Sequence, residues 1–145
     1  MPSASSEPGR ITANLHRMDR RDRVTILLAL AVAAFMGMGA YLNLSAAPFM
    51  IEDFRKWGYP GGFNYVTGAL ELPALILLLL HRYRIFGVLL ALSVLSGAFI
   101  TLIVHGEFQH ALAPAIALIL ALTLALRLLR HRKNGRVGVE KNAPD

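Results

Sequence analysis

Glu71 is the only charged side chain inside four long apolar segments, Val24–Leu44, Phe63–Leu80, Ile85–Val104 and Ala111–Leu126. An acid near the centre of a lipid-buried helix costs about 2.5–3.5 kcal/mol on insertion scales, which makes it a functional residue by default. A carboxyl group in low dielectric favours its neutral form. That form donates to a carbonyl or quinone oxygen, and the charged form accepts a proton. Thr67 stands one helical turn before Glu71, Asn64 two turns before, and Gly68 is on the same side. Together they form a polar stripe from one surface to mid-segment. Pro73 has no N–H to offer the carbonyl of Ala69, so it adds a free acceptor nearby. Two chemistries remain open for Glu71: handling a ligand or proton, or an interhelical hydrogen bond that locks helices together. Asn43, at the end of the first segment, and His105, at the end of the third, complete the candidate pocket with Thr67 and Glu71.

Other polar groups carry weaker signals. His105 and His110 bracket Glu107 in a short connection, but without the helical His spacing of a zinc protease, so no metal site is assigned. No histidine lies mid-segment, so no haem is expected. There are no cysteines, which excludes disulfide-coupled quinone chemistry and thiolate metal sites. Neither a glycine-rich phosphate loop nor a soluble nucleophile motif is present.

The elements that position these residues follow from hydropathy. The chain has 145 residues, of which 55% are hydrophobic, and a mean hydropathy of +0.51. A membrane span takes about 17–25 mostly apolar residues, and the four segments run 21, 18, 20 and 16. The predicted fold class is all-α: an integral membrane four-helix antiparallel bundle. Its spans cover 24–44, 63–80, 85–104 and 111–128. The 21-residue apolar run of the first segment exceeds the roughly 7–15 of a signal peptide, so it is read as a span.

Charge sets the orientation. Of 15 Lys and Arg, all but Arg55 and Lys56 fall in the N-terminal tail, the loop at Arg82 and Arg84, or the C-terminal tail. By the positive-inside rule both termini are cytoplasmic. The net charge of +6 therefore reports topology, and nucleic acid is not an expected partner. Residues 1–23 and 129–145 read as disordered basic tails around a membrane domain at 24–128.

The first outer loop has its own pattern. Pro48 suits a first helical turn, and Met50, Phe54 and Trp57 share one face. Glu52 and Lys56 form an i, i+4 pair. Pro48–Lys56 is therefore expected as a short interfacial helix, with Trp57 and Tyr59 as anchors at headgroup level. Small residues repeat at four-residue spacing as Ala29, Ala33 and Gly37, as Ser93, Gly97 and Thr101, and as Ala117, Ala121 and Ala125. These predict close helix packing, with Gly37, Gly68 and Gly97 as contact points.

The run Phe54-Arg-Lys-Trp-Gly-Tyr-Pro60, then Phe63, Val66-Thr-Gly-Ala-Leu-Glu-Leu72, Leu77–Leu80 and Arg82, resembles the DoxX-like membrane protein family. Gly97-Ala98, Thr101, His105-Gly106-Glu107 and Pro114 continue the resemblance, which covers about residues 24–128. It implies a four-helix protein of the bacterial inner membrane. The family takes its name from the small membrane subunit of a thiosulfate:quinone oxidoreductase, and members of the wider group look like assembly factors or cargo receptors. The expected function is a membrane subunit that binds a quinone or small lipophile for a redox partner. The alternative is a non-enzymatic assembly factor, receptor or scaffold. Expected partners are the lipid bilayer, a redox or assembly protein, and a second copy of the chain. Members often carry a lysine near the end of span one. Here the region reads Tyr41-Leu42-Asn43-Leu44, so an ion pair with the span-two acid does not carry over.

Overall fold

The computed structural model describes the backbone of residues 20–140 and the side chains of 22–130. The described residues form five helices and no strands: α1 (Arg20–Leu44), α2 (Pro48–Lys56), α3 (Phe63–Leu79), α4 (Arg84–Val104) and α5 (Phe108–Glu140). Three stretches, Asp22–Leu44, Arg84–Val104 and Phe108–Arg130, are long and apolar enough to cross a membrane. α3 is apolar but shorter, at 17 residues, or about 25 Å at 1.5 Å per residue.

The helices outrun the apolar segments where the flanking residues keep helix propensity. α1 begins at Arg20, inside the expected N-terminal tail, whose residues 1–19 lie outside the described ones. The expected C-terminal tail begins at 129, whereas α5 continues to Glu140; the run Arg127-Leu-Leu-Arg130 is rich in helix formers and has no breaker. Residues 141–145 lie outside the described ones. α2 has the bounds read from the sequence, with Pro48 at its first turn.

α1 packs on α3 and α5, and α4 packs on α3 and α5. The core is built from small and branched residues. Ala29, Val32, Ala33 and Met36 of α1 meet Ala74 and Leu78 of α3, Val88 and Ala91 of α4, and Ala117 and Ala121 of α5. Alanines at four-residue spacing bring helix backbones together, the association that lipid favours. The outward faces are apolar too: Leu27, Met38, Val104 and Leu112 are all more than 60% exposed. Such a surface fits a hydrocarbon surround, not water.

Gly87 shows how closely two helices approach. A Cβ there would lie 2.6 Å from the backbone N of Leu78 and 2.8 Å from the Leu77 carbonyl carbon. The turn between α3 and α4 is closed by Arg84, whose Nε donates to the Leu78 carbonyl at 2.9 Å. That carbonyl sits in the last turn of α3, where helical acceptors lack intrahelical partners.

The expected seam at Gly97 is not found within the chain. Gly97 is exposed, and a Cβ there would meet nothing within 4 Å. Ser93 is likewise exposed, its hydroxyl turned back to the Leu89 carbonyl at 3.0 Å. The small face of α4 that packs is the one with Gly87 and Ala91. Gly37 makes an ordinary contact, its Cβ position 3.5 Å from Leu75 Cδ2.

Candidate functional site

Glu71 lies on α3 against α1 and is buried, 8% exposed. Asn43 Nδ2 donates to Glu71 Oε2 at 2.8 Å. Asn64, two turns earlier on α3, donates from Nδ2 to the Asn43 backbone carbonyl at 2.8 Å. That carbonyl belongs to the last turn of α1, so Asn64 caps α1 from the neighbouring helix. Asn43 and Asn64 are each 3% exposed. The three polar residues thus form one chain of contacts across α1 and α3.

Glycines make room for it. A Cβ on Gly68 would sit 2.7 Å from Leu44 Cγ and 3.1 Å from Asn43 Cβ, so the glycine lets the end of α1 lie close on α3. A Cβ on Gly39 would run into the Glu71 carboxyl, 2.8 Å from its carbon and 3.1 Å from Oε2. The contacts step backward along α1 as they step forward along α3: 43 with 68, 39 with 71, 37 with 75. One atom of the cluster is left over. Asn43 Oδ1 is fully buried and accepts no hydrogen bond, a cost of about 1–3 kcal/mol for a desolvated polar group.

Two expected members of this pocket are elsewhere. The Thr67 hydroxyl turns back on its own helix, to the Asn64 carbonyl at 2.9 Å and that of Phe63 at 3.3 Å. This is the usual local satisfaction of a helical threonine. His105 is exposed at the end of α4, with Nδ1 2.8 Å from the Thr101 carbonyl. The sequence placed both near Glu71 by their position along a span; their side-chain bonds are local. Gly39 was missed. A glycine in the stretch Gly37-Met38-Gly39-Ala40 reads as generic packing until its partner is known.

A second cluster covers the α2 end of the molecule. Phe54 is the hub: its ring lies 5.7 Å from Trp57, 5.6 Å from Tyr59 and 5.6 Å from Phe63, all edge-on. Tyr59 stacks on Phe63 at 4.4 Å, and its hydroxyl lies 2.7 Å from Thr101 Oγ1. Trp57 faces His105 at 6.1 Å, with its buried Nε1 unpartnered. Trp57 and Tyr59, expected as outward anchors, thus also pack on one another's neighbours.

Glycines with positive φ shape both helix ends of this cap. Gly58 (φ 78°) ends α2 and Gly106 (φ 74°) ends α4. In each case the next N–H reaches back to the last turn, Tyr59 to Phe54 at 2.9 Å and Glu107 to Leu102 at 2.8 Å, the Schellman pattern. Glu107 is thereby aimed at α2. Lys56 donates to Glu107 Oε1 in place of the expected pair with Glu52. His110 Nδ1 lies 3.1 Å from Glu107 Oε2. The hydrogen bond from Lys56, then that from His110, holds the Glu107 carboxyl below its ordinary value. The same bond raises the Lys56 ammonium. No group of three His, Cys, Asp or Glu arranged for a metal occurs among the described residues.

An assembly of apolar helices with apolar outer faces, and its few polar side chains tucked between helices, is a membrane protein. The chain belongs to the DoxX-like family, whose model matches residues 27–124. It is also similar to a protein of Bacillus subtilis (strain 168) named "Uncharacterized protein YdgD". The two are 30% identical over 79 residues, covering 52% of this chain and 69% of that one. No solved structure matches the chain.

Proposed function

We propose that the chain is a multi-pass protein of a bacterial inner membrane. In this reading α1, α3, α4 and α5 span the bilayer as an antiparallel four-helix bundle, and α2 lies along the outer surface. Both termini are cytoplasmic, a reading that the distribution of Lys and Arg supports. The membrane domain, residues 24–128, is flanked by the two basic tails.

Its role is that of a membrane subunit holding a quinone-type or similar small lipophile for a redox partner. The observation that carries this is the unpartnered Asn43 Oδ1 beside Glu71. The cluster lacks one hydrogen-bond donor. A quinol hydroxyl supplies it, and so does the O–H of a protonated Glu71. The residues therefore suit a group that exchanges a hydroxyl for a carbonyl: Asn43 accepts from the one, and Glu71 donates to the other. A second reading, an assembly factor, receptor or scaffold, has its own support. Gly39 and Gly68 fit so tightly against Glu71, Asn43 and Leu44 that the cluster also acts as a lock between helices.

Purification in mild detergent, with mass spectrometry of co-purifying quinones and lipids, separates the two. The ligand reading expects a quinone retained by the wild type and lost in Glu71→Gln, which keeps size and hydrogen-bonding capacity but cannot titrate. Retention of nothing by a folded wild type, or equal retention by Glu71→Gln, overturns it in favour of the helix lock.

A further inference from the structure

At the end of the molecule opposite α2, a pocket of about 430 Å³ opens between the start of α1, the α3–α4 turn and the end of α5. Its polar lining is Asp22, Thr25, His81, Arg82 and Arg84, and Ile85 and Leu128 form its apolar edge. Arg84 is the unusual member. It is 8% exposed, and only its Nε is used, on the Leu78 carbonyl. No carboxylate among the described residues pairs with Arg84 or Arg82. The remaining guanidinium nitrogens of Arg84 are not among the fully buried, unpartnered atoms, and Arg84 lines the pocket. Those donors have no carboxylate partner among the described residues, and the pocket that Arg84 lines is where a counter-charge would sit.

Three further features define the ligand. α4, 21 residues long, begins at Arg84, so the positive end of its dipole and its first N–H groups lie at the same place. Two guanidiniums and a helix N-terminus suit an oxyanion, and phosphate has more acceptor oxygens to serve all three than a carboxylate does. Asp22 stands on the wall and repels a bare anion, but it accepts from a hydroxyl. The pocket also lies where apolar spans give way to basic flanks, the level of lipid headgroups.

We propose that this pocket binds a glycerol phosphate group, with the phosphate on Arg84 and Arg82 and a glycerol hydroxyl toward Asp22. The group has two sources, the headgroup of phosphatidylglycerol or free glycerol phosphate. The site is separate from the Glu71 cluster and does not depend on the function proposed for it.

The test uses the full chain, delipidated in non-ionic detergent. It is titrated separately with short-chain phosphatidylglycerol and with glycerol 3-phosphate, and thermal stability is read at each concentration. A saturable upward shift with either ligand is expected, weakened about tenfold or more in Arg84→Gln, because a hydrogen bond between charged groups is lost. A shift with the lipid alone assigns a headgroup site; a shift with glycerol 3-phosphate assigns a soluble ligand. Should Arg84→Gln not fold, Arg82→Gln, an exposed position, replaces it and is expected to weaken the same shift severalfold. No saturable shift with either ligand, or an affinity unchanged in the arginine variant, overturns the proposal.

Discussion

Gly39 of α1 lies directly over the carboxyl of Glu71 on α3, so close that any Cβ at position 39 would overlap Oε1. A glycine is thus as much a part of the polar site as the acid. Gly39→Ala forces either Glu71 off Asn43 or α1 off α3. Overpacking of this kind costs about 1–3 kcal/mol. Gly97→Ala, with open space around it, is expected to be neutral or slightly stabilising through helix propensity. Thermal unfolding in detergent compares the two; equal losses would show that Gly39 does not meet Glu71.

At the α3–α4 turn the neighbour of Gly87 is backbone, which cannot rotate away. Gly87→Ala is therefore expected to destabilise by about 1–3 kcal/mol. Gly37→Ala, whose added Cβ meets Leu75 at an ordinary 3.5 Å, is expected to be neutral or to stabilise by up to about 1 kcal/mol through helix propensity. The same melting assay ranks them.

Asn43 and Glu71 are expected to couple energetically. In membrane proteins such interhelical hydrogen bonds average about 0.6 kcal/mol and reach about 1.7 in double-mutant cycles. A cycle of Asn43→Leu, Glu71→Leu and the double variant measures the term. Zero coupling would mean that the 2.8 Å bond contributes nothing to the fold.

The tether between α2 and the α4–α5 loop should depend on pH. Glu107 is depressed by its bonds to Lys56 and His110. Its contribution is therefore present above its ordinary value of 4.5 and is lost as pH falls through the lower folded value. Lys56 is raised. Its contribution is present below its ordinary value of 10.5 and is lost as pH rises through the higher folded value. Protection factors of α2 amides, the intrinsic exchange rate at each pH divided by the observed rate, should fall at both extremes. In Lys56→Ala the alkaline loss of protection should vanish; its persistence would place the tether elsewhere.

Reporter fusions check the orientation. A fusion within Glu52–Trp57 should read as periplasmic, and one after Arg130 as cytoplasmic. A periplasmic signal from both fusions would place an even number of crossings between them and overturn the four-span reading.

The sequence alone determined the helical segments and the bounds of α2, and it singled out Glu71. Each follows from local physics: apolar runs of spanning length, a proline at a first turn, and one acid in an apolar stretch. It also brought Asn43 and Gly68 into consideration. Which faces meet was not legible. In a soluble helix a polar face marks the outside; here both faces are apolar, so nothing along α1 or α4 separates inward from outward. The four-residue spacing therefore pointed to Gly37 and Gly97, and not to Gly39 and Gly87. Only the rotation of each helix about its axis, set by mutual packing, put Gly39 on Glu71, Gly87 on the backbone of α3, and Gly97 outside. Tertiary structure likewise decided the partner of Lys56. An i, i+4 carboxylate is close in sequence, but the turn at Gly106 carries Glu107 nearer.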